Sequence, residues 1–228
     1  VVRCCACCGP SAVRVWFSGV EVADKFFPAC WLVVFVSALL WSVWQPVSYF
    51  IWLLEVAPAL IGMLVLLATY RNFPLTRLLY ALILLHMIIL MIGGHYTYAE
   101  MPLFNQMKDM FGWSRNYYDR VGHFAQGFVP AMIAREILIR KAVVRGHAWL
   151  FFIVLCICLA ISASYELIEW WVSVATGEKA DAFLGTQGDV WDTQWDMFLA
   201  LCGAVVSQLW LGKRHQRAIE FLRTSPGV

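Results

Sequence analysis

Glu166 and Glu169 stand three positions apart, as do Asp189 and Asp192, with Asp196 four further on; Asp119, His123 and Gln126 recur at intervals of four and three. An α-helix turns about 100° per residue, so each set falls within roughly 60° on one helix face. An imidazole facing several carboxylates is a donor set for a divalent cation such as Zn, Mn or Mg rather than for a soft thiolate site. A cation so held activates a bound water or polarises a substrate oxygen, and a nearby carboxylate serves as general base. The ligand set expected from these spacings is His123, Glu166, Glu169 and Asp196, with Glu166 and Asp192 as the acid–base pair. Glu55, His95, Asp119, Arg120 and Gln126, and Thr186, Gln187 and Asp189 of the stretch "LGTQGD", are the further site candidates.

The elements that must position these groups are transmembrane. The 228 residues are 61% hydrophobic and only 14% charged, with mean hydropathy +0.69, against about 25% charged in ordinary soluble domains. No nucleic-acid partner is expected of such a chain; its partner is the lipid bilayer. A helix needs about 20 apolar residues to cross the hydrocarbon core. Six runs approach that length: Phe27 to Trp44, Tyr49 to Tyr70, Leu75 to Gly93, Asp119 to Arg140, Trp149 to Ala175 and Thr193 to Gly212. The fold expected is an all-α, polytopic bundle of about six spans over residues 25–214, between a poorly ordered N-terminal tail (1–24) and a C-terminal tail (215–228).

Cytoplasmic loops carry the excess of Lys and Arg. Threaded through six spans, Lys108, Arg115, Arg120 and Lys179 fall on one side and every other Lys and Arg on the other, so both termini are expected to be cytoplasmic. The expected location is the bacterial inner membrane. Glu55, Asp119, Glu166, Glu169, Asp189, Asp192 and Asp196 then share the periplasmic end, together with Glu100, Asp109, Glu178 and Asp181. Four basic residues do not balance these carboxylates; protons or a cation must.

Each residue also has a plainer reading. Asp119, Asp189 and Asp192 suit helix N-termini, where carboxylates are worth about 0.3–1 kcal/mol. Glu166 and Glu169 sit near a helix C-terminus, where the dipole disfavours anions, and a cap does not explain them. His86, near the middle of the third span, reads as an interhelical hydrogen-bonder. Arg135 and Glu136 read as snorkelling or mutually paired side chains, and His147 and His215 as solvated charge. Cys4, Cys5, Cys7 and Cys8 have C-x-x-C spacings without the second ligand pair that a structural zinc site needs.

The phrases "EVAPALI", "ATYRNFPLT", "GGHYTYAEMPL", "SRNYYDRVGHFAQGFVPA", "YELIEWW" and "DAFLGTQGDVWDTQWDM" resemble the YjdF family of bacterial inner-membrane proteins, over roughly Trp44 to Gly212. More distantly, "DRVGHF", a late Glu in the next span and an Asp-rich entry to a final helix are similar to VanZ-like membrane proteins, a family associated with glycopeptide-antibiotic tolerance. Neither resemblance assigns a catalytic residue. Two functions stay open: a metal-dependent hydrolase or transferase on an envelope or lipid-linked substrate, and a non-enzymatic membrane protein, either a cation- or proton-coupled transporter or a structural partner.

Overall fold

The computed structural model describes residues 10–177 and 185–224, with side chains from residue 26 onward. Cys4, Cys5, Cys7 and Cys8, and Glu178, Lys179 and Asp181, lie outside the described residues. Within them the regular structure is helical: α1 (Pro10–Val43), α2 (Tyr49–Thr69), α3 (Arg77–Tyr96), a 3-10 turn (Tyr98–Glu100), α4 (Pro102–Phe111), α5 (Tyr118–Arg140), α6 (His147–Thr176) and α7 (Asp192–Thr224).

Five of these helices, α1, α2, α3, α6 and α7, are long and apolar enough to cross a membrane. α5 has the length, 23 residues, but Asp119, Arg120, Arg135, Glu136 and Arg140 make it the most charged of the long helices in mid-chain. It is also the central one, with 13 of those 23 residues buried. One apolar cluster packs Val129 and Met132 of α5 against Val56, Leu79, Met87 and Leu211. A second packs Ala131, Ala134 and Leu138 against Leu150, Val154 and Ala204. α1 and α2 lie outside this centre and leave Val33, Leu53, Ile61 and Leu64 exposed, as side chains that face lipid would be.

α5 packs chiefly on α7, and glycine makes the approach possible. A Cβ on Gly127 would collide with the Ala200 backbone, and one on Gly203 with the Phe124 carbonyl. Small residues at such crossings let helix backbones come together where no hydrophobic effect drives association.

At the end where α3 and α7 are furthest from the acidic residues, Glu136 ties three helices. Its Oε1 accepts from the Thr76 N–H at 3.0 Å, and its Oε2 accepts from the Thr76 hydroxyl at 2.8 Å. Thr76 itself caps α3, accepting from Leu79 N–H at 3.4 Å. Arg140 donates to Glu136 at 2.9 Å, and its guanidinium lies 3.7 Å from the Phe73 ring centre. His215 corrects the expectation of solvated charge: α7 runs on to Thr224, and His215 is fully buried against Glu136. The helix keeps its inward stripe past the last apolar run, carrying His215 and Ile219 into the packing.

Candidate functional site

α2, α5 and α7 begin, and α3 and α6 end, at one end of the bundle, and that shared end gathers most of the expected site residues. They form two layers.

The upper layer is a network of aspartates and arginines. Arg115, from the loop before α5, donates to Asp192 at 2.5 Å and to Asp119 at 3.4 Å, and lies 3.5 Å from Asp189. Arg120 donates to Asp192 at 2.7 Å, to Asp189 at 3.2 Å and to Asp196. Asp192, expected as an acid–base residue, is therefore clamped between two guanidinium groups. Asp189 also accepts from the Trp191 N–H at 2.9 Å, a turn that precedes α7 rather than a cap on its first residues. Fork-shaped guanidinium donors suit this multidentate pairing, which a lysine cannot reproduce.

The segment after residue 184 closes over this layer. Gly185 and Thr186 carbonyls accept from Arg115 at 3.0 and 3.4 Å. Gln187 clasps Asn116 in both directions: its Oε1 accepts from the Asn116 N–H at 2.8 Å, and its Nε2 donates to the Asn116 carbonyl at 2.9 Å. Gly185 and Gly188 have φ of +62° and +85°, a region open to glycine and strained for other residues. Asn116 also donates to Met101 O at 2.9 Å and Asn105 Oδ1 at 2.8 Å, which ties α4 to the same loop.

The lower layer centres on His123. Its Nδ1 is 3.1 Å from the Gln126 Oε1, and its Nε2 is 3.4 Å from Asp119 Oδ1 and 3.8 Å from Asp196 Oδ1. With Gln126 accepting from Nδ1–H, Nε2 faces two carboxylate oxygens, and three acceptors converge unless a proton or a cation stands among them. Asp119, His123 and Asp196 offer ligand atoms that all lie within 4.8 Å of one another. Ligand atoms about 2 Å from a tetrahedral zinc are themselves roughly 3.3 Å apart, close to the His123 separations. Glu166 Oε1 is 3.7 Å from His123 Nδ1, buried and without a hydrogen bond.

Beneath His123 is a cavity of about 200 Å³ bounded by α2, α3, α5, α6 and the 3-10 turn. Glu55, Glu169, His86, Tyr98 and Tyr165 line it with Asp119 and His123. The ring of Tyr98 is seated between Gly93 and Gly122, where a Cβ on either would collide with it. Burial first, and then the Glu55 carboxylate, hold the Tyr98 phenol well above its ordinary titration range, so it presents an O–H. His86 does not act as the expected interhelical hydrogen-bonder, since its buried Nε2 has no partner among the described residues.

His95 is engaged elsewhere, with Nδ1 3.1 Å from the Ser42 carbonyl and its ring 4.5 Å from that of Trp41. Arg115 is absent from the expected set although it is only 5% exposed at the centre of the network. It lies in the irregular stretch "WSRNYY", where no helical period marks a shared face; the signal available was an arginine four positions before Asp119.

Comparison with known proteins places the chain among membrane proteins. The family described as "Predicted membrane protein (DUF2238)" matches residues 27–217. Inner membrane protein YjdF of Escherichia coli (strain K12) is 56% identical over 168 residues, covering 74% of this chain and 80% of the relative. The chain belongs to the YjdF family. No solved structure matches it. The matched region spans the residues that build the two layers and the cavity, from Glu55 to Asp196.

Proposed function

We propose that this YjdF-family protein is a multi-pass inner-membrane protein that binds a divalent cation at Asp119, His123 and Asp196. On this reading α5 is a sixth span, both termini are cytoplasmic and the site lies at the periplasmic end. The observation that carries the reading is the convergence of His123 Nε2 with two carboxylate oxygens, 3.4 and 3.8 Å away. Charge agrees. Asp119, Asp189, Asp192 and Asp196 contact Arg115 and Arg120, so two guanidinium groups face four carboxylates, an excess of negative charge that favours a cation.

A cation there supplies the chemistry of a hydrolase or transferase acting on an envelope or lipid-linked substrate, with Glu166 as the base beside it and the arginine layer fixing the ligands. Of the ligands expected from spacing, His123 and Asp196 are retained; Asp119 joins them, Glu166 becomes the base and Glu169 faces the cavity.

A second reading, cation- or proton-coupled transport without chemistry, draws on the buried Glu136 and His215 pair toward the other end of the bundle. A polar group near each end is what a transmembrane path requires.

The deciding experiment is metal analysis of the detergent-purified protein, with thermal unfolding in the presence and absence of chelator. A bound stoichiometric metal, absent from His123→Ala, and a chelator-lowered Tm support the reading. A metal-free, chelator-insensitive wild type rejects it. Reporter fusions after Leu103 (periplasmic) and after Asn72 and Arg145 (cytoplasmic) test the topology.

A further inference from the structure

The cavity below His123 has properties that a metal at its roof does not use. Glu55 and Glu169 are 5% and 7% exposed, line the cavity, and make no hydrogen bond among the described residues. A buried ionised carboxylate without a hydrogen bond is costly by several kcal/mol, and the one group of opposite sign facing this cavity is the His123 ring at its roof, which also faces Asp119 and Asp196. The Arg115 and Arg120 guanidinium groups are occupied by aspartates above, and no lysine or arginine lines the cavity.

Apart from His86, Gln126 and the His123 and Asp119 side chains at the roof, the rest of the wall is largely apolar. Tyr98 and Tyr165 supply aromatic rings, with Leu90, Ile161, Pro58 and Pro130 around them. The two prolines lie inside α2 and α5, and each removes the helical N–H donor from the carbonyl four residues earlier, at Leu54 and Gln126. A cavity of about 200 Å³ holds several waters or a small organic group, at about 30 Å³ per water. A strongly hydrated metal ion gains little from such walls. A charge that carries its own apolar surface gains from all of them, through carboxylates, ring faces and alkyl contact together.

We infer that this cavity binds a small organic ammonium group, with Glu55 and Glu169 as counter-charges and Tyr98 and Tyr165 as the aromatic walls. It deepens the proposed function, resting on the reading that the site above is functional, by naming the substrate class: a molecule whose alkylammonium end seats in the cavity while its reacting bond lies at the cation. The ammonium belongs either to a free amine or to the headgroup of an aminophospholipid.

The test is thermal unfolding of the detergent-purified protein titrated with choline, with ethanolamine, and with 3,3-dimethyl-1-butanol, the uncharged shape analogue of choline. The expected result is a saturable rise in Tm with at least one ammonium compound and none with the analogue. Glu55→Gln and Glu169→Gln should each weaken the effect at least tenfold. An equal rise with the neutral analogue, or no rise with either ammonium, overturns the inference. If a variant does not fold, equilibrium binding of radiolabelled choline to the wild type, competed by the analogue, decides on the same terms.

Nanodiscs separate the sources. Choline stabilisation lost in phosphatidylethanolamine discs but kept in phosphatidylglycerol discs supports binding of the lipid headgroup; equal stabilisation in both supports a free amine. The two readings fail separately. Ammonium binding by a metal-free, chelator-insensitive protein leaves this inference and rejects the metal, whereas metal binding without ammonium binding does the reverse.

Discussion

His215 Nε2 and Glu136 Oε2 lie 2.8 Å apart, on α7 and α5, with neither residue exposed to solvent. The pair closes the far end of the bundle, because the same carboxylate also holds the N-cap of α3 through Thr76.

Replacing His215 by Ala removes one of several donors to Glu136 and should cost about 1–3 kcal/mol, the penalty for a buried polar group left short of a partner. Glu136→Ala strands Thr76, Arg140 and His215 together and should cost more, about 3–5 kcal/mol. Denaturation midpoints in detergent rank the two variants; equal midpoints would remove Glu136 from this tying role.

Arg115→Lys preserves charge but not the fork that reaches Asp192, Asp119, Gly185 O and Thr186 O together. The expected cost is of order 3–5 kcal/mol, as for other broken buried ion pairs. Limited proteolysis between residues 185 and 190 should accelerate in parallel. Unchanged protection there would mean that Gln187 and Asn116 hold the segment without the arginine.

Asp196→Asn and Glu169→Gln both remove one carboxylate charge, and they should behave differently toward chelator. A cation present at a hundred times its Kd stabilises the folded state by about 2.7 kcal/mol. That increment should vanish in Asp196→Asn and persist in Glu169→Gln, whose side chain faces the cavity. The readout is the chelator-dependent change in Tm, and its loss in Glu169→Gln would return Glu169 to the ligand set.

Two glycines of α7 make an internal control. A Cβ on Gly203 meets α5 backbone, while at Gly212 the nearest atoms are Arg135 Nε and Nη2 at 3.9 Å, an ordinary contact. Gly203→Ala should destabilise by about 1–3 kcal/mol, as overpacking does. Gly212→Ala should be neutral or stabilising by about 0.5–1 kcal/mol, the usual gain for alanine over glycine within a helix. Paired unfolding curves decide it.

The sequence carried the long helices and much of the lower layer, because hydropathy and 3.6-residue spacing are properties of single elements. Asp119, His123 and Gln126 share a face, and the Gln126 amide does meet the His123 ring. Contacts between distant segments were not legible in this way. Arg115 and the Asn116–Gln187 clasp join loops about seventy residues apart, and loops have no period from which to read a direction. His215 was misread because its neighbours Lys213, Arg214 and Arg217 are charged, whereas burial depends on the face a residue occupies. Glu166 and Glu169 are neighbours on α6, yet Glu169 belongs to the row Ile161, Tyr165, Glu169 that lines the cavity while Glu166, off that row, lies beside His123, a difference of facing that an i, i+3 spacing does not resolve.

The pairing of Arg120 with Asp189, Asp192 and Asp196 sets an order on biogenesis. When α5 leaves the ribosome, Asp119 can meet Arg115 and Glu136 can meet Arg140, but Arg120 lacks Asp189, Asp192 and Asp196, since α7 is synthesised about seventy residues later. A charged residue costs about 2.5–3.5 kcal/mol at the centre of a lipid-embedded helix and less toward its ends, where those of α5 lie, so an unpaired Arg120 adds a modest penalty. On the proposal that α5 is a sixth span, its integration would be completed only once α7 arrives, with α7 acting as its intramolecular chaperone. A chain halted after α6 would then be expected to turn over faster than the full-length protein.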